Sequence, residues 1–164
     1  MSILKSKTDI IVVKPGDEKL LASVSSLFGK MYVEMSGMGL MVGLAEDGAD
    51  KWIKGIEKTL GRMSYLLAAQ NENKTLGFAH GSLRFLPDYL GGDLTGNITH
   101  IYVDENFRGE GIAGGLLNEL ENWFLRKKAA SVDLEIVPDN ENAKRFWLSK
   151  GYMTELTRYR KVIS

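Results

Sequence analysis

Ile101-Tyr102-Val103-Asp104-Glu105-Asn106-Phe107-Arg108-Gly109-Glu110-Gly111-Ile112-Ala113-Gly114-Gly115-Leu116-Leu117 joins a strand-like run to a helix-like run through a glycine-rich turn. Upstream, Asn97 to Val103 alternates, so Asn97, Thr99, Ile101 and Val103 are expected on one face of a strand and Ile98, His100 and Tyr102 on the other. Downstream, Ile112, Leu116, Leu120, Trp123 and Phe124 recur at helical spacing, and Arg126-Lys127-Lys128 supplies the charge sign that a helix C-terminus prefers. Between them, the first N–H groups of the helix have no intrahelical acceptor and lie at the positive end of its dipole. Glycines let an anion approach without a Cβ in the way, so the turn is predicted to seat a phosphate. A plain strand-to-helix junction that uses glycine only for packing would read the same way from the turn alone.

Two familiar phosphate patterns fit poorly. A Walker loop ends in Gly-Lys-Ser/Thr, whereas Gly111 is followed by Ile112-Ala113, with no lysine for phosphate and no hydroxyl for magnesium. The dinucleotide pattern GxGxxG is formally present as Gly109, Gly111 and Gly114, and Asp133 lies near the offset of a ribose-binding acid. That fingerprint belongs in the first βα unit of an alternating series, and here a hairpin precedes it.

Working outward, Ile10–Val13 reads as a strand stopped by Pro15-Gly16, followed by a helix capped by Asp17 and carrying Leu20, Val24, Leu27, Phe28 and Met31. The glycines and methionines between Met31 and Asp50 predict a mobile connection, and Trp52, Ile53, Ile56 and Leu60 a second helix closed near Gly61. Met63–Gln70 and Thr75–Phe85 read as a hairpin about Asn71-Glu72-Asn73-Lys74, and Pro87–Gly96 as a loop. After the helix at Ile112 come a strand over Ser131–Val137, a helix over Asn140–Lys150 closed by Gly151, and a last strand over Tyr152–Ile163. The order is β-α-α-β-β-β-α-β-α-β, with no internal repeat or linker, so one domain over residues 1–164 is expected.

Composition narrows the chemistry. At 164 residues, 44% hydrophobic and 26% charged, the chain has the make-up of an ordinary globular protein. Its 21 basic and 21 acidic residues cancel, so no global field draws it to nucleic acid or an anionic membrane. Without cysteine, and with His80 and His100 as the only imidazoles, no structural metal site is expected. No apolar run approaches the ~20 residues of a membrane span, and Met1–Asp9 lacks a signal-peptide pattern, so a soluble, cytoplasmic location is expected.

Arg108-x-x-Gly111-x-Ala113 resembles the Arg/Gln-x-x-Gly-x-Gly/Ala signature of the GNAT superfamily of acyl-CoA-dependent N-acyltransferases. A second element, Asn140-x-x-Ala143-x-x-Phe146-Trp147-x-x-x-Gly151-Tyr152, resembles that family's Asn-x-x-Ala-x-x-Phe-Tyr-x-x-x-Gly-Phe pattern. The resemblance is clear from about Asn97 to Tyr152. It implies an α/β (α+β) fold with a single mixed, mostly antiparallel twisted sheet flanked by helices, and transfer of an acetyl group from acetyl-CoA to the primary amine of a small molecule or peptide.

By the same resemblance, the pyrophosphate would sit on the N–H groups of Arg108, Gly109, Glu110, Gly111, Ile112, Ala113 and Gly114, with the Arg108 side chain assisting or bracing the loop. The pantetheine arm would lie along Ile101, Tyr102 and Val103, with Asn140 and Phe146 as further contacts, and a backbone N–H near Ile101 would polarise the thioester carbonyl. Glu135, twelve positions before Trp147, is the candidate base, because some relatives that acetylate protein N-termini carry a Glu there; Asp133 is expected on the same strand face. Trp147 stands where the family has a tyrosine acid, and an indole N–H is no practical acid. It either hydrogen-bonds a departing thiolate or fills core volume beside Phe146, and Tyr152 and Tyr159 are weak substitutes for the missing acid. Met35, Met38 and Met41 beside Glu34, Glu46, Asp47 and Asp50 would suit a cationic acceptor, although such a cluster also suits a solvated surface. A homodimer is compatible with the resemblance. A noncatalytic acyl-CoA-binding module is the rival reading, which Trp147 and the lack of a unique base suggest.

Overall fold

A computed structural model describes residues 7–164, so residues 1–6 of the Met1–Asp9 segment lie outside the described residues. Five strands form one sheet in sequence order: β1 (Asp9–Val12), β2 (Ser64–Asn71), β3 (Lys74–Phe85), β4 (Leu94–Val103) and β5 (Ser131–Leu134). The first four pair antiparallel and β5 pairs parallel to β4. Helices α1 (Glu18–Ser36) and α2 (Gly48–Glu57) cover one face; α3 (Ile112–Arg126) and α4 (Glu141–Ser149) cover the other. This is the mixed, mostly antiparallel α/β architecture expected. Among the described residues, no helix is long and apolar enough to cross a membrane.

Each face has its own core. Phe28, on α1, stacks on Trp52 of α2 at 4.1 Å between centroids, above Leu66, Ala68 and Phe78 of the sheet. Opposite, Leu116, Leu120 and Phe124 of α3, all at most 1% exposed, lie on Leu67, Ala79 and Ile98. Local signals place the helix starts: Asp17 accepts from the Leu20 N–H, and Asn140 from the Ala143 N–H. Gly96 lets α3 approach, since a Cβ there would meet the Phe124 ring at 2.6 Å.

Several boundaries differ from expectation. α1 runs on through Met31 and Met35, whose side chains pack on the core, so the connection predicted from Met31 is helical to Ser36 and irregular over 37–47. α2 stops at Glu57, and Leu60 bridges instead to Ser64. β4 begins at Leu94, inside the expected loop, where it pairs with Phe85. β5 stops at Leu134, short of Val137, because β4 accompanies it only from Thr95 to Ile98. Tyr152–Ile163 forms no strand: no neighbour among the described residues runs beside it, and Leu156, Tyr159 and Ile163 are exposed.

The largest correction concerns β4. Its register against β3 skips between His80–His100 and Gly81–Ile98, which leaves Thr99 as an extra residue. Ile98 therefore packs toward α3, whereas His100 and Tyr102 turn toward α1, the side on which Thr99 also lies. Simple alternation had put Ile98 with His100. Thr99 Oγ1 lies 2.5 Å from His80 Nδ1, 3.0 Å from His100 Nδ1 and 3.1 Å from the His80 carbonyl. Donating its proton to that carbonyl, the hydroxyl accepts from both imidazoles, so both Nε2 atoms are the unprotonated ones. The buried His80 Nε2, which has no partner, is then a lone pair and not a stranded donor. Burial, reinforced by His100, lowers the His80 pKa to about 3, and burial lowers that of His100 to about 4.

Two tests follow from this packing. Gly96→Ala should destabilise the protein by about 1–3 kcal/mol in urea denaturation, through overpacking against Phe124. The histidines titrate lower when folded than unfolded, so their contribution is fully present above the unfolded value of 6.5 and is lost as pH falls toward about 4 and 3. Urea midpoints measured from pH 7 to pH 4 should fall less for His80→Gln than for the parent protein; equal slopes would contradict the assignment.

Candidate functional site

Where β4 leaves β5, its far edge is open. Asp104 N–H donates to the Leu76 carbonyl across the β3 side. By strand alternation Tyr102 also faces β3, while the backbone groups of Ile101 and Val103 point away from it. The Val103 carbonyl is taken by Arg108 Nε at 2.8 Å, which leaves the N–H groups of Ile101 and Val103 free on that edge.

The chain then turns sharply. Asp104, 6% exposed, accepts from the Asn106 N–H at 3.1 Å, from Asn106 Nδ2 at 3.0 Å and from Lys30 Nζ at 3.1 Å. The Asn106 N–H, followed by Lys30, holds its carboxyl below the usual range. A single 3₁₀ turn over Glu105–Phe107 follows. Gly109 and Gly111 then adopt φ of +79° and +81°, the left-handed region that favours glycine. Gly111 caps α3 with no side chain of its own, and the first bond into the helix is Gly115 N–H to the Gly111 carbonyl. The N–H groups from Arg108 to Gly114 thus have no acceptor among the described residues, and a Cβ at Gly109 or Gly111 would face open space. These residues fit a phosphate-bearing group: an open cradle of donors at a positive helix end.

Arg108 braces the cradle. Besides binding the Val103 carbonyl, its Nη2 donates to Glu34 Oε2 at 2.7 Å, and Tyr102 Oη donates to Glu34 Oε1 at 2.6 Å. Burial and the Glu34 contact push the Tyr102 phenol well above its ordinary pKa. Glu34 was expected beside a cationic acceptor and instead ties α1 to β4. Asp47 pairs with Lys51 and Asp50 accepts from Ser25 Oγ, so three of that cluster's four carboxylates hold partners within the chain. The connection after α1 meets the loop after β5, where Asp139 N–H donates to the Met38 carbonyl.

The candidates beyond β5 separate. Asp133 pairs with Arg84 and accepts from Asn97 Nδ2 at 2.6 Å. Glu135 lies past the strand end, exposed, with Arg158 Nη2 at 2.5 Å. The two do not share one strand face as expected. Trp147 is 6% exposed in the α3 core, edge-on to Phe146 and Tyr152 at 5.0 Å each, and its indole N–H has no hydrogen-bond partner among the described residues. Tyr152 Oη donates to Glu121, and burial with that contact raises its pKa; Tyr159 is 91% exposed. The Asn140 side-chain oxygen serves as the α4 cap. Lys150, absent from the sequence-based set, brings its ammonium within 3.6 Å of where a Gly114 Cβ would lie, and so sets a cation beside the first turn of α3. Only its place just before Gly151 in the second motif could have signalled it.

Known structures share this fold. The aminoglycoside N-acetyltransferase AAC(6')-Iy in complex with CoA matches at TM-score 0.77 and 18% identity, over 98% of this chain and 99% of that one. The ribosomal-protein-alanine N-acetyltransferase of Brucella melitensis matches at TM-score 0.69 and 18% identity, over 96% and 100%. A probable acetyltransferase matches at TM-score 0.70 and 25% identity, over 95% and 98%. No curated protein sequence matches the chain. The model of the acetyltransferase (GNAT) family, however, matches residues 42–152, from the connection before α2 through the cradle to Tyr152. As that span covers more than half of the sequence and holds both motifs, the chain belongs to the GNAT family and is an acetyltransferase with acetyl-CoA as its cosubstrate.

Proposed function

We propose that the chain transfers the acetyl group to the primary amine of a small molecule or peptide by direct attack. The observation that carries this reading is the row of unpaired N–H groups from Arg108 to Gly114, continuous with the open edge at Ile101 and Val103. Acetyl-CoA supplies a thioester carbonyl. The cradle would hold its diphosphate, with Arg108 fixing the loop and Lys150 adding charge. The edge would pair with its amide groups, and the Ile101 N–H is a donor for charge that develops on the carbonyl oxygen. Asn140, which caps α4, and Phe146 within it complete the proposed contacts.

An alkylamine with a pKa near 10.4 must lose a proton before it attacks. Glu135 takes it, directly or through water, and Arg158 orients the carboxylate. An acceptor amine is supported by the fold neighbours, which act on an aminoglycoside in one case and on a ribosomal-protein alanine in another. Position 147 donates no proton in this scheme, because its indole is packed in the core. A noncatalytic acyl-CoA-binding module is the alternative, and release of free thiol from acetyl-CoA with an amine library separates the two.

Gly111→Asp should keep the fold at a cost of about 1–2 kcal/mol, because φ of +81° strains any side chain there although its Cβ meets nothing within 4 Å. Its carboxylate would occupy the N–H groups and repel the diphosphate, lowering CoA affinity by calorimetry on the order of tenfold or more. Unchanged affinity would place the cosubstrate elsewhere. Glu135→Gln should slow turnover by about 10²–10⁴, with a deficit that shrinks at high pH as the amine deprotonates unaided. Wild-type turnover at every pH would remove Glu135 from the reaction.

A further inference from the structure

The turn proposed to hold a diphosphate is rich in the wrong charge. Asp104, Glu105 and Glu110 lie in it beside a single cation, Arg108, and α1 adds Glu34. Glu105 and Glu110 are exposed to solvent, and Asp104 is committed to Asn106 and Lys30. Glu34 differs from these, because it is bonded to the one cation of the turn and so stands a single guanidinium away from the proposed anion. By Coulomb's law alone it should weaken binding there.

Its contacts form a closed set. Oε1 accepts from Tyr102 Oη at 2.6 Å and Oε2 from Arg108 Nη2 at 2.7 Å, so both carboxylate oxygens are in use. The Arg108 guanidinium lies 5.4 Å from the centre of the Tyr102 ring, and its Nε donates to the Val103 carbonyl at 2.8 Å. A long, flexible side chain is thereby held at three points, by an acid, a ring and a strand carbonyl. Yet only two of its five N–H donors are bonded within the chain, so three remain for an anion. The Arg108 side chain is also 45% exposed, and a ligand can reach it; Glu34, at 29%, is the more sheltered of the pair.

We infer that Glu34 is a positioning residue for the cosubstrate and acts through Arg108. An untethered arginine would lose the rotamer freedom of a long side chain on meeting an anion, and Glu34 removes that freedom beforehand. The carboxylate also pins the turn to α1 and to β4 at once, which keeps the N–H row from Arg108 to Gly114 in one arrangement. Order outweighs repulsion because the charge of the carboxylate is already offset by the guanidinium it holds. Removal of the acid would unmask a full positive charge and still weaken binding. This inference rests on the reading that the cradle holds the diphosphate of CoA, and extends it from the backbone donors to an acid that works through another side chain.

Calorimetry of CoA binding separates order from repulsion by sign. Glutamine keeps one acceptor oxygen for two donors, so Glu34→Gln should lower CoA affinity about three- to tenfold while the thermal transition remains cooperative. In an Arg108→Met background the carboxylate has no cation to hold and only repels, so the same Glu34→Gln change should there raise affinity, on the order of twofold. Tyr102→Phe retains the ring and the Glu34–Arg108 bond and should lose less than Glu34→Gln. Unchanged or tighter binding in Glu34→Gln overturns the inference, as does an equal loss in both backgrounds, which marks a structural role independent of Arg108. A Tyr102→Phe variant as weak as Glu34→Gln overturns it too, since the acid would then act through the strand. Gly111→Asp checks the underlying reading: if CoA affinity is unchanged there, the cradle and this inference fall together, whereas a loss there with none in Glu34→Gln removes the inference alone.

Discussion

The extra residue at Thr99 is the constraint from which the site follows. A regular β4 would keep Ile98 and His100 on one face and could stay beside β5 along its length. The skip in register releases β4 from β5 after Ile98, shortens β5 to four residues and leaves Ile101 and Val103 with free N–H groups. The bulge has a chemical anchor: one hydroxyl shared by two imidazoles, whose burial keeps both neutral near pH 7. Aromatic packing of His100 on Phe28 and of His80 on Trp52 ties the irregular point to α1 and α2, so the helices on one face stabilise an opening used from the strand edge.

A second set of bonds carries that irregularity into the cradle. Glu34 accepts from Tyr102 on β4 and from Arg108 in the turn, and Arg108 returns to the Val103 carbonyl. Asp104 gathers Lys30 of α1 and Asn106 of the turn. α1 thus fixes both the strand that opens and the loop that cups. Charged side chains are used up in holding backbone in place, and in the proposed reading the backbone does the binding. Such a division would let a chain with zero net charge present an anion site.

The parts legible in the sequence are those written in local chemistry. The Asp17 and Asn140 caps, the α3 stripe, and the glycines at 109 and 111 each act within a few residues, and each is where the pattern put it. What alternation could not show is where alternation stops. Nothing at Thr99 distinguishes a bulged threonine from an ordinary strand threonine until His80, nineteen residues away, is set across from it. The structural role of Glu34 was hidden for the same reason, because its partners lie 68 and 74 residues downstream. The segment after Gly151 reads as a strand because its residues favour one, but a strand also needs a neighbour, and residue preference does not reveal whether one is there.

Trp147 shows how packing and chemistry trade places in this fold. The position lies on α4, facing the core that α3 lays on the sheet, and a ring of that size fills space between Phe146 and Tyr152. A tyrosine there would carry a titratable hydroxyl, whereas the indole spends its area on burial. Tyr152 is no replacement, since its hydroxyl is committed to Glu121 and its acidity is reduced by burial. In the proposed reaction the leaving group must then depart unaided, which a thiol with an ordinary pKa near 8.5 can do close to neutral pH. The cost of losing the acid is small because the leaving group is sulfur. The amine's proton is the harder demand, and the carboxylate proposed to meet it lies just past the end of β5, exposed and paired with Arg158.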